Sequence, residues 1–540
     1  MTIRFRLGGL ILMAVMLGAL AMSACSTTPT SPSTSETSTT VTKPYGSLTI
    51  ANNFGANIDP LLEPSVGFTT IGSAVFDTLW YKNVESYSVT PGMAERWEIS
   101  PDGMTHTFYI RKGVRFHDGS DLTGEDVKFS IERMIAPTSL SPAGAATWRS
   151  LIGKVELKDT YTVVLQLKSP QFDLLPKNDN GNMSAVVPKK YIENKGSDYF
   201  PSHPMGSGPW KALKYEQGVR LELEAVEDHW QSKPKFKNIT VLSIPEMSTR
   251  VAMLKTGELD MAAVSADSVT SLEAAGLRIF SYPSGGGFFG YPFYDIENPQ
   301  KFAFGDVRVR KALQLAINSK EMADKQFGGR AEPVSVALSY VDSVSKANVY
   351  DPNLLKPDPY DPEGAKKLLA DAGYPNGFST KLYDVGGGDL RSIVSLTLGG
   401  YWRKIGVNGE ITPYDYAAFM PKMQSRSADL WNNFYTFISP GAQSWDYMIT
   451  RYHSTKSTPK NLKNPKLDGM LDSVLGIKDP VERGRLQLEA AVLAKNEYTT
   501  LSILGTHNIL ALGNKVGSVA PARYMVEISG LMYETITHRK

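Results

Sequence analysis

The chain opens with one long apolar run, and the segment that follows is almost entirely polar. Arg4 and Arg6 precede the run, which extends from Leu7 to Met22 and is followed by two small residues. Crossing a bilayer takes about 20 apolar residues, and this run has 16. The pattern therefore predicts a signal peptide over residues 1–24 rather than a transmembrane anchor.

The only cysteine of the chain, Cys25, comes directly after this segment. That arrangement is typical of a bacterial lipoprotein signal, although Met22 stands where such signals more often have leucine. An ordinary free or buried cysteine after a cleaved secretory signal is the alternative. We expect Cys25 to become the lipidated N-terminus of a protein that works outside the cytoplasm. It would lie in the periplasmic space or on the outer face of the plasma membrane.

Residues 25–44 consist mostly of Ser, Thr and Pro and show no apolar period. Such a segment buries too little surface to offset its ordering entropy, so it predicts an extended tether. Its root-mean-square span would be roughly 20–25 Å, which would hold a domain near a membrane.

The apolar and polar positions after the tether predict a globular protein with strands and helices. A strand-like run, Gly46 to Ala51, begins it, and two β-rich runs around the turn Pro101 to Gly103 predict a hairpin. Thr123 and Asp126 then predict a helix start of the capping-box type. The apolar positions of this helix share one face: Val127, Ile131 and Met134.

Two later segments predict further scaffold helices. Asp361 is the expected N-cap of one, Pro362 its first residue, and Gly373 its end. The apolar face of that helix consists of Ala365, Leu368, Leu369 and Ala372. A similar face in the segment from Asp306 consists of Val309, Leu313 and Ala316.

The length of the chain indicates several domains, and its charge argues against nucleic-acid binding. A chain of 540 residues exceeds one hydrophobic core and predicts two or three domains. Lys and Arg number 57 and Asp and Glu 55, and removing Arg4 and Arg6 with residues 1–24 leaves 55 of each. A neutral mature chain gives no electrostatic case for nucleic acid. With Cys25 acylated, no thiol remains for a disulfide or a cysteine-based zinc site.

Several segments, in order, resemble one protein family. The densest runs from Pro91 to Met134 and contains the hairpin, the FHDG turn and the helix. Six others follow: GSGPWKALKY (Gly206 to Tyr215), LELEAVEDHW (Leu221 to Trp230), VAMLKTGELDMA (Val251 to Ala262), DVRVRKALQLAINSKEM (Asp306 to Met322), YDPEGAKKLLADAGYPNGF (Tyr360 to Phe378) and WRKIGV (Trp402 to Val407), the last as the start of a late strand. Together they resemble the family 5 extracellular solute-binding proteins, the peptide-, nickel- and opine-binding components of ABC importers.

The resemblance implies an α/β fold of the periplasmic-binding-protein type, a two-lobed class II clamshell with three domains and crossover strands. Its domain I would comprise residues 45–77, 185–288 and 505–540, domain II residues 78–184, and domain III residues 289–504. The runs near Leu501 and from Gly285 to Asp295 fit the two crossover strands. The three glycines of the second run suit a hinge strand or a pocket wall, and hairpin-loop glycines are an equal alternative.

The resemblance also implies a function without a reaction. A peptide, peptide-like or other small organic solute would be captured between the lobes and delivered to an ABC permease. The ATPase subunits would supply the energy, since this chain has no P-loop. We expect a monomer without a cofactor, attached to the membrane through the lipid on Cys25. A solute sensor that is not coupled to transport remains an alternative.

Family ligand contacts gather in three regions. The first follows the opening strand and comprises Glu63, Ser65, Val66, Gly67 and Phe68. The second is Trp148 in domain II, and the third is the domain III segment from Leu430 to Gly441. The expected ligand residues of the third segment are Asn433, Phe434, Tyr435 and Thr436.

Thr436 stands where peptide-binding members of the family have an aspartate that pairs with the peptide α-amine. Burying an ammonium group without a counter-charge is expensive. The sequence therefore predicts a ligand held mainly by aromatic and neutral polar groups, unless another carboxylate compensates. The candidate carboxylates are Glu63, Asp429 and Asp446. Simple strand packing is the alternative role of the domain III segment.

The sequence gives little support for a metal site or for an enzyme. The seven histidines form no short-range pairs, although nickel bound as a small-molecule chelate stays an alternative. His117, inside FHDG, is expected to be a turn residue. The motif fragments of a lipid-anchored serine hydrolase or acyltransferase occur in the wrong order: Tyr81 to Asn83, Lys255 to Gly257, and Ser343 to Lys346. We therefore expect no enzyme.

Overall fold

The computed structural model describes most of the chain beyond residue 42. The described residues are 43–52, 58–61, 68–82, 89–137, 148–172, 184–335, 353–385, 389–439, 445–459, 461–520 and 533–539. The predicted signal peptide, Cys25 and nearly all of the predicted tether lie outside these ranges, as does Ser343 to Lys346.

The strands alternate with helices along most of the chain. The strands are β1 (Ser47–Ala51), β2 (Trp80–Lys82), β3 (Val89–Pro91), β4 (Ala94–Ile99), β5 (Thr105–Ile110), β6 (Ile152–Asp159), β7 (Thr162–Leu167), β8 (Trp210–Glu216), β9 (Arg220–Ala225), β10 (Asn238–Leu242), β11 (Met261–Ala263), β12 (Arg278–Pro292), β13 (Ala331–Glu332), β14 (Ser379–Val385), β15 (Asn408–Tyr414), β16 (Phe434–Ser439) and β17 (Leu501–Leu512).

The helices cover the faces of the sheets and connect their strands. They are α1 (Phe68–Val75), α2 (Gly124–Ile135), α3 (Lys189–Lys195), α4 (Met247–Thr256), α5 (Val269–Ala274), α6 (Val307–Leu315), α7 (Ser319–Phe327), α8 (Pro362–Asp371), α9 (Asp389–Arg403), α10 (Tyr416–Ser425), α11 (Trp445–Tyr452), α12 (Pro465–Ser473) and α13 (Pro480–Glu497). Within the described ranges, none of these helices combines the length and the apolar character needed to span a bilayer.

One mixed sheet runs through the molecule in the order β15-β14-β16-β12-β17-β11-β1-β10-β9-β8, and β13 adds to β17. Parallel pairs join β14 to β15 and β16, and β1 to β10 and β11. The two longest strands, β12 and β17, are antiparallel neighbours in the middle of this order. The prediction of long strands near Gly285 and Leu501 is therefore confirmed, and the α/β class with it.

The pairing of β12 with β17 divides the sheet into two halves. Residues 278–283 of β12 pair with residues 507–512 of β17 next to β11. Residues 287–290 of β12 pair with residues 501–505 of β17, and here β16 is the other neighbour of β12. The register shifts between Pro283 and Gly287. Separate apolar cores lie on the two sides of this shift, one including Leu48 and Trp210, the other Leu313 and Trp402.

A smaller sheet, β4-β5-β7-β6, contains the predicted hairpin. Its β4–β5 turn places Gly103 at a φ of 70°, a conformation that favours glycine. The predicted capping box begins α2, where the backbone N–H of Thr123 donates to the carboxylate of Asp126 at 3.0 Å. The predicted apolar positions of α2 are buried in the core shared with this sheet.

The predicted cap of α8 is confirmed, because the Asp361 carboxylate accepts from the N–H of Gly364 at 2.8 Å. The prediction for WRKIGV is wrong. Trp402 lies in the last turn of α9, fully buried, and donates its indole N–H to the carbonyl of Leu313 at 3.1 Å. Gly406 then turns the chain at a φ of 88°, and β15 begins only at Asn408. The buried Trp402 therefore packs as part of the core-facing side of α9 and not as part of a strand.

His117 lies in the FHDG turn and ties it to a neighbouring glycine-rich segment, as expected of a turn residue. Its Nε2 donates to the carbonyl of Gly208 at 2.9 Å, and its Nδ1 faces the N–H of Gly206. Burial lowers the pKa of His117 to about 4. The neutral imidazole is therefore the form that the fold accommodates.

This neutral histidine predicts an acid-dependent loss of stability. Because the folded pKa lies below the unfolded value of about 6.5, stability is fully present above that value and falls as the pH drops to about 4. The full loss should be about 3 kcal/mol. His117→Gln should flatten the pH dependence of the denaturation midpoint between pH 7 and 4.5, whereas His203→Gln, at an exposed histidine, should not. An unchanged pH profile in His117→Gln would contradict this role.

Candidate functional site

The interrupted pairing of β12 and β17 is held by two small hydroxyl residues. Ser284 donates to the carbonyl of Thr506 at 2.8 Å, and the two hydroxyl oxygens are 3.0 Å apart. The backbone N–H of Gly286 donates to the Ser284 oxygen at 3.1 Å. The two halves of the sheet thus meet where side-chain hydrogen bonds replace part of the regular ladder. We infer that this point is the hinge between them.

Two glycines face each other beside this hinge. Gly287 pairs with Gly505, and a Cβ added at Gly287 would lie 2.1 Å from the carbonyl oxygen of Leu504. A Cβ at Gly505 would lie 2.4 Å from a methyl group of Val334. The glycines therefore belong to a strand with a close backbone approach, and the hairpin-loop alternative is excluded.

An aromatic wall lies on one face of the second half of the sheet. Tyr435 of β16 is directly opposite Tyr291 of β12 and Tyr383 of β14. The ring of Phe437 stacks on that of Tyr291 with centroids 4.3 Å apart. Phe419 of α10 covers Tyr435 at 4.7 Å. Rigid rings are thereby fixed near the carboxyl end of β14 and the first half of β16.

Two arginines reach this wall from different helices. The guanidinium of Arg451 lies 4.9 Å from the ring centroid of Phe437, and its Nη1 donates to the hydroxyl of Tyr291. Arg391, in the first turn of α9, donates through Nη1 to the carbonyl of Val385, the last residue of β14. Burial raises the pKa of the Tyr435 hydroxyl, and the positive charges of both arginines oppose that rise. Both guanidinium groups therefore lie close enough to Tyr435 to act on its hydroxyl.

The opposite face of the same strands carries buried hydroxyls and a carboxylate. The hydroxyls of Thr436 and Ser395 are 2.8 Å apart, and both residues are inaccessible to solvent. Asp384 lies next to Thr436 in the adjacent strand and accepts from the hydroxyl of Ser392 at 2.5 Å. Its other oxygen, Oδ1, is buried without a hydrogen-bond partner.

The predicted ligand residues are only partly brought together. Asn433, Phe434, Tyr435 and Thr436 are consecutive at β16, with Phe434 packed on Trp402 at 4.8 Å and Tyr435 in the aromatic wall. Trp148 is 3% exposed and packs near Trp80 in the other core. Glu63, Ser65, Val66 and Gly67 lie outside the described residues, and only the backbone is described for Phe68. The assignment of these residues to a ligand site stays a prediction.

Of the three carboxylates considered as counter-charges for a ligand amine, the structure describes the side chain of Asp429 alone. Asp429 is exposed, and Lys422 and Ser427 hold its pKa below the usual value, so its charge is already matched. Glu63 and the side chain of Asp446 lie outside the described parts.

Sequence reasoning missed Asp384, Arg391 and Arg451. The sequence holds a signal for two of them. Asp384 lies near the end of an apolar strand-like run, and three glycines and the helix-like segment with Arg391 follow. Arg451 gives no such signal, because only the fold brings α11 to β12 and β16.

The arrangement suits binding more than catalysis. Guanidinium groups pair readily with carboxylates, and large rings bury flat or apolar ligand surface. Within the described ranges, no group of three or more His, Cys, Asp or Glu side chains is placed to hold a metal ion.

The close approach at Gly287 predicts the effect of one added methyl group. Gly287→Ala should destabilise the protein by about 1–3 kcal/mol, because the neighbouring backbone must move apart. Gly469→Ala is the matched control, since a Cβ there meets nothing within 4 Å. Chemical denaturation of both variants measures the difference. Equal stability of the two variants would contradict the close approach at the hinge.

Comparisons with known proteins agree on one family. The sequence matches the model of the bacterial extracellular solute-binding proteins, family 5 Middle, over residues 88–458. It is 24% identical over 497 residues to "Heme-binding protein A" of Haemophilus influenzae, covering 84% of this chain and 86% of that protein. It is 28% identical over 411 residues to "Glutathione-binding protein GsiB" of Shigella flexneri serotype 5b, covering 73% of this chain and 76% of that protein.

A solved structure shares the fold. The periplasmic binding protein DppA of Helicobacter pylori, described as ABC transporter-associated and bound to the peptide STSA, superposes with a TM-score of 0.69. The two chains are 24% identical, and the superposition covers 92% of this chain and 99% of DppA. The two-lobed clamshell expected from the sequence is thereby confirmed.

Proposed function

Because the chain belongs to family 5 of the bacterial extracellular solute-binding proteins, we propose that it captures a peptide or related small solute for an ABC importer. Membership makes it a solute-binding protein and not an enzyme. Its two lobes would close on the solute, and the closed form would be presented to the permease. The names of similar proteins, which include glutathione- and peptide-binding members, support this class of solute.

The observation that carries the proposal is the hinge between two separately packed halves. Binding stabilises a closed form only through contacts that the open form lacks. Sites at domain interfaces provide such contacts, since most of a ligand's surface is buried there. A sheet joined through one interrupted strand pair, with an aromatic wall and two arginines beside it, meets these requirements.

The proposal keeps the domain division expected from the sequence. Domain I would comprise residues 45–77, 185–288 and 505–540, domain II residues 78–184, and domain III residues 289–504. Its limits at 288 and 505 fall within a few residues of Ser284 and Thr506, where the ladder is interrupted.

The arginines near the carboxyl end of β14 favour a ligand with an anionic group. In open α/β sheets, ligands bind at the carboxyl ends of the strands. Arg391 donates there to the carbonyl of Val385, and the guanidinium of Arg451 lies against the ring of Phe437. They would bind a carboxylate of the solute, while Tyr435 and its neighbours contact apolar parts.

The arginines yield a direct binding test. Arg391→Met combined with Arg451→Met should weaken binding of a random tetrapeptide library about 10- to 100-fold, because the carboxylate loses its charge-assisted partners. Arg403→Met, on an exposed arginine of the same helix, should leave binding unchanged. Native mass spectrometry of purified protein with the library measures retention. Equal retention by the double variant would exclude these arginines from the site.

The proposal includes attachment to a membrane through Cys25. The Ser/Thr/Pro-rich segment of residues 25–44 would keep the binding domain mobile near the permease, in the periplasmic space or outside the plasma membrane. A sensor uncoupled from transport would bind the same solutes, and uptake assays in a deletion strain distinguish the two.

Lipidation predicts a change of location on substitution. Cys25→Ser should move the protein from the membrane fraction to the soluble extracytoplasmic fraction and abolish labelling by a palmitate analogue. Ser26→Ala should change neither. Palmitate labelling that persists in the Cys25→Ser protein would contradict the lipid anchor.

A further inference from the structure

A hydrogen bond outside the hinge strands also joins the two halves of the molecule. The backbone N–H of Phe172 donates to the carbonyl of Leu475 at 3.2 Å. Phe172 follows the small sheet, which shares its apolar core with the first half of the main sheet, the half containing β1 and β8 to β11. Leu475 packs on the apolar core of α11, α12 and α13. That core belongs to the second half, because Arg310 of α6 donates to the carbonyl of Glu497, the last residue of α13, at 2.8 Å.

The donor of this contact is fixed by the small sheet. The N–H of Gln171 donates to the carbonyl of Gly103 at 2.9 Å, and the carbonyl of Gln171 accepts from Nε2 of His106 at 2.8 Å. His106 is inaccessible to solvent. The ring of Phe172 lies on the turn glycine, where an added Cβ would be 2.8 Å from it. The N–H of Phe172 is therefore held in place by its own half of the molecule.

The acceptor lies in a one-turn 3₁₀ helix, Val474–Gly476. The N–H of Ile477 closes this turn on the carbonyl of Val474 at 3.3 Å, which leaves the carbonyl of Leu475 to accept from Phe172. Arg483 of α13 donates to the carbonyl of Ile477 at 2.7 Å and fixes the end of the turn. The acceptor is therefore positioned by the second half, independently of the donor.

An ion pair between Arg330 and Glu273 also spans the two halves, but it lies beside the hinge. Its N–O distance is 3.8 Å, and the side chain of Glu273 is 52% exposed. Arg330 directly precedes β13, which pairs with β17 at Thr506. Exposed ion pairs contribute little, and residues next to a hinge move least when the halves rotate. Phe172 and Leu475 belong to neither hinge strand, so rotation of one half away from the other separates them.

We propose that the contact between Phe172 and Leu475 is a latch, a hydrogen bond that forms when the halves close and breaks when they open. This inference rests on the proposed solute-binding function and concerns its regulation. The apparent affinity of a ligand is reduced by the fraction of the protein that is not in the binding-competent form. One hydrogen bond shifts an equilibrium roughly two- to tenfold. The latch should therefore change the affinity for every solute by one factor without contacting any of them.

Disulfide trapping tests the latch directly. Phe172→Cys and Leu475→Cys are combined in the full chain with Cys25→Ser, so that the new pair holds the only thiols. Since a backbone hydrogen bond brings two Cα atoms close enough for a disulfide, mild oxidation should cross-link this pair about tenfold or more faster than a control pair. The control combines Phe172→Cys with Gly469→Cys, at an exposed glycine of α12. In native mass spectrometry, the cross-linked protein should no longer exchange peptides of a random tetrapeptide library, and reduction should restore exchange.

A second variant removes the hydrogen-bond donor alone. Phe172→Pro lacks the N–H, so its retention of library peptides should fall roughly two- to tenfold, by one factor for all peptides. Lys478→Met, at an exposed lysine beside the turn, should leave retention unchanged. Unchanged retention by Phe172→Pro would contradict the latch, and a loss confined to some peptides would place Phe172 in the solute site instead.

The cross-linking result separates the latch from the solute-binding function. Cross-linking no faster than in the control pair, or free exchange of peptides by the cross-linked protein, would overturn the latch and leave the proposed function intact. A wild-type protein that retains no library peptide would contradict the proposed peptide-binding function. The cross-linking rates would still decide whether the two halves meet at Phe172 and Leu475.

Discussion

The antiparallel pairing of β12 with β17 connects the two halves of the main sheet. Each half has strand neighbours and an apolar core of its own, so each keeps its packing when the other moves. The register shifts between Pro283 and Gly287 and again between Phe288 and Phe289. At Ser284 and Thr506 side-chain hydrogen bonds replace part of the β12–β17 ladder, while Thr506 and Gly505 of β17 pair with β13 on their other side.

Buried polar groups of the scaffold have hydrogen-bond partners, whereas some buried polar atoms of the candidate site have none. Asp59, Asp77 and Asp260 lie in the first half of the sheet or beside it, and each has donors for its carboxylate. Such groups cost little once paired and are expensive when one partner is lost. At the carboxyl edge of β14, Asp384 Oδ1 and Arg391 Nε are buried without partners. A binding protein needs such groups at its site, because a ligand gains most from donors and acceptors that the empty protein leaves unmatched.

Local sequence signals predicted much of the fold. The hairpin around Gly103, the capped helix after Thr123 and the helix after Asp361 follow from turn chemistry, caps and apolar spacing within a few residues. The family resemblance predicted a strand start at WRKIGV, whereas Trp402 lies in the last turn of α9 and contacts Leu313, a pairing of distant segments that leaves no local pattern. The candidate site was harder to predict for the same reason.

Asp384 and Arg391 lie near the end of β14 and do not pair with each other. Arg391, in the first turn of α9, donates to the carbonyl of Val385, and Asp384 accepts from the hydroxyl of Ser392 in the same helix. Asp384 Oδ1 and Arg391 Nε stay buried without partners. Because a buried polar group without a partner costs free energy, this end of the sheet carries a cost that the pairings of Asp59, Asp77 and Asp260 avoid.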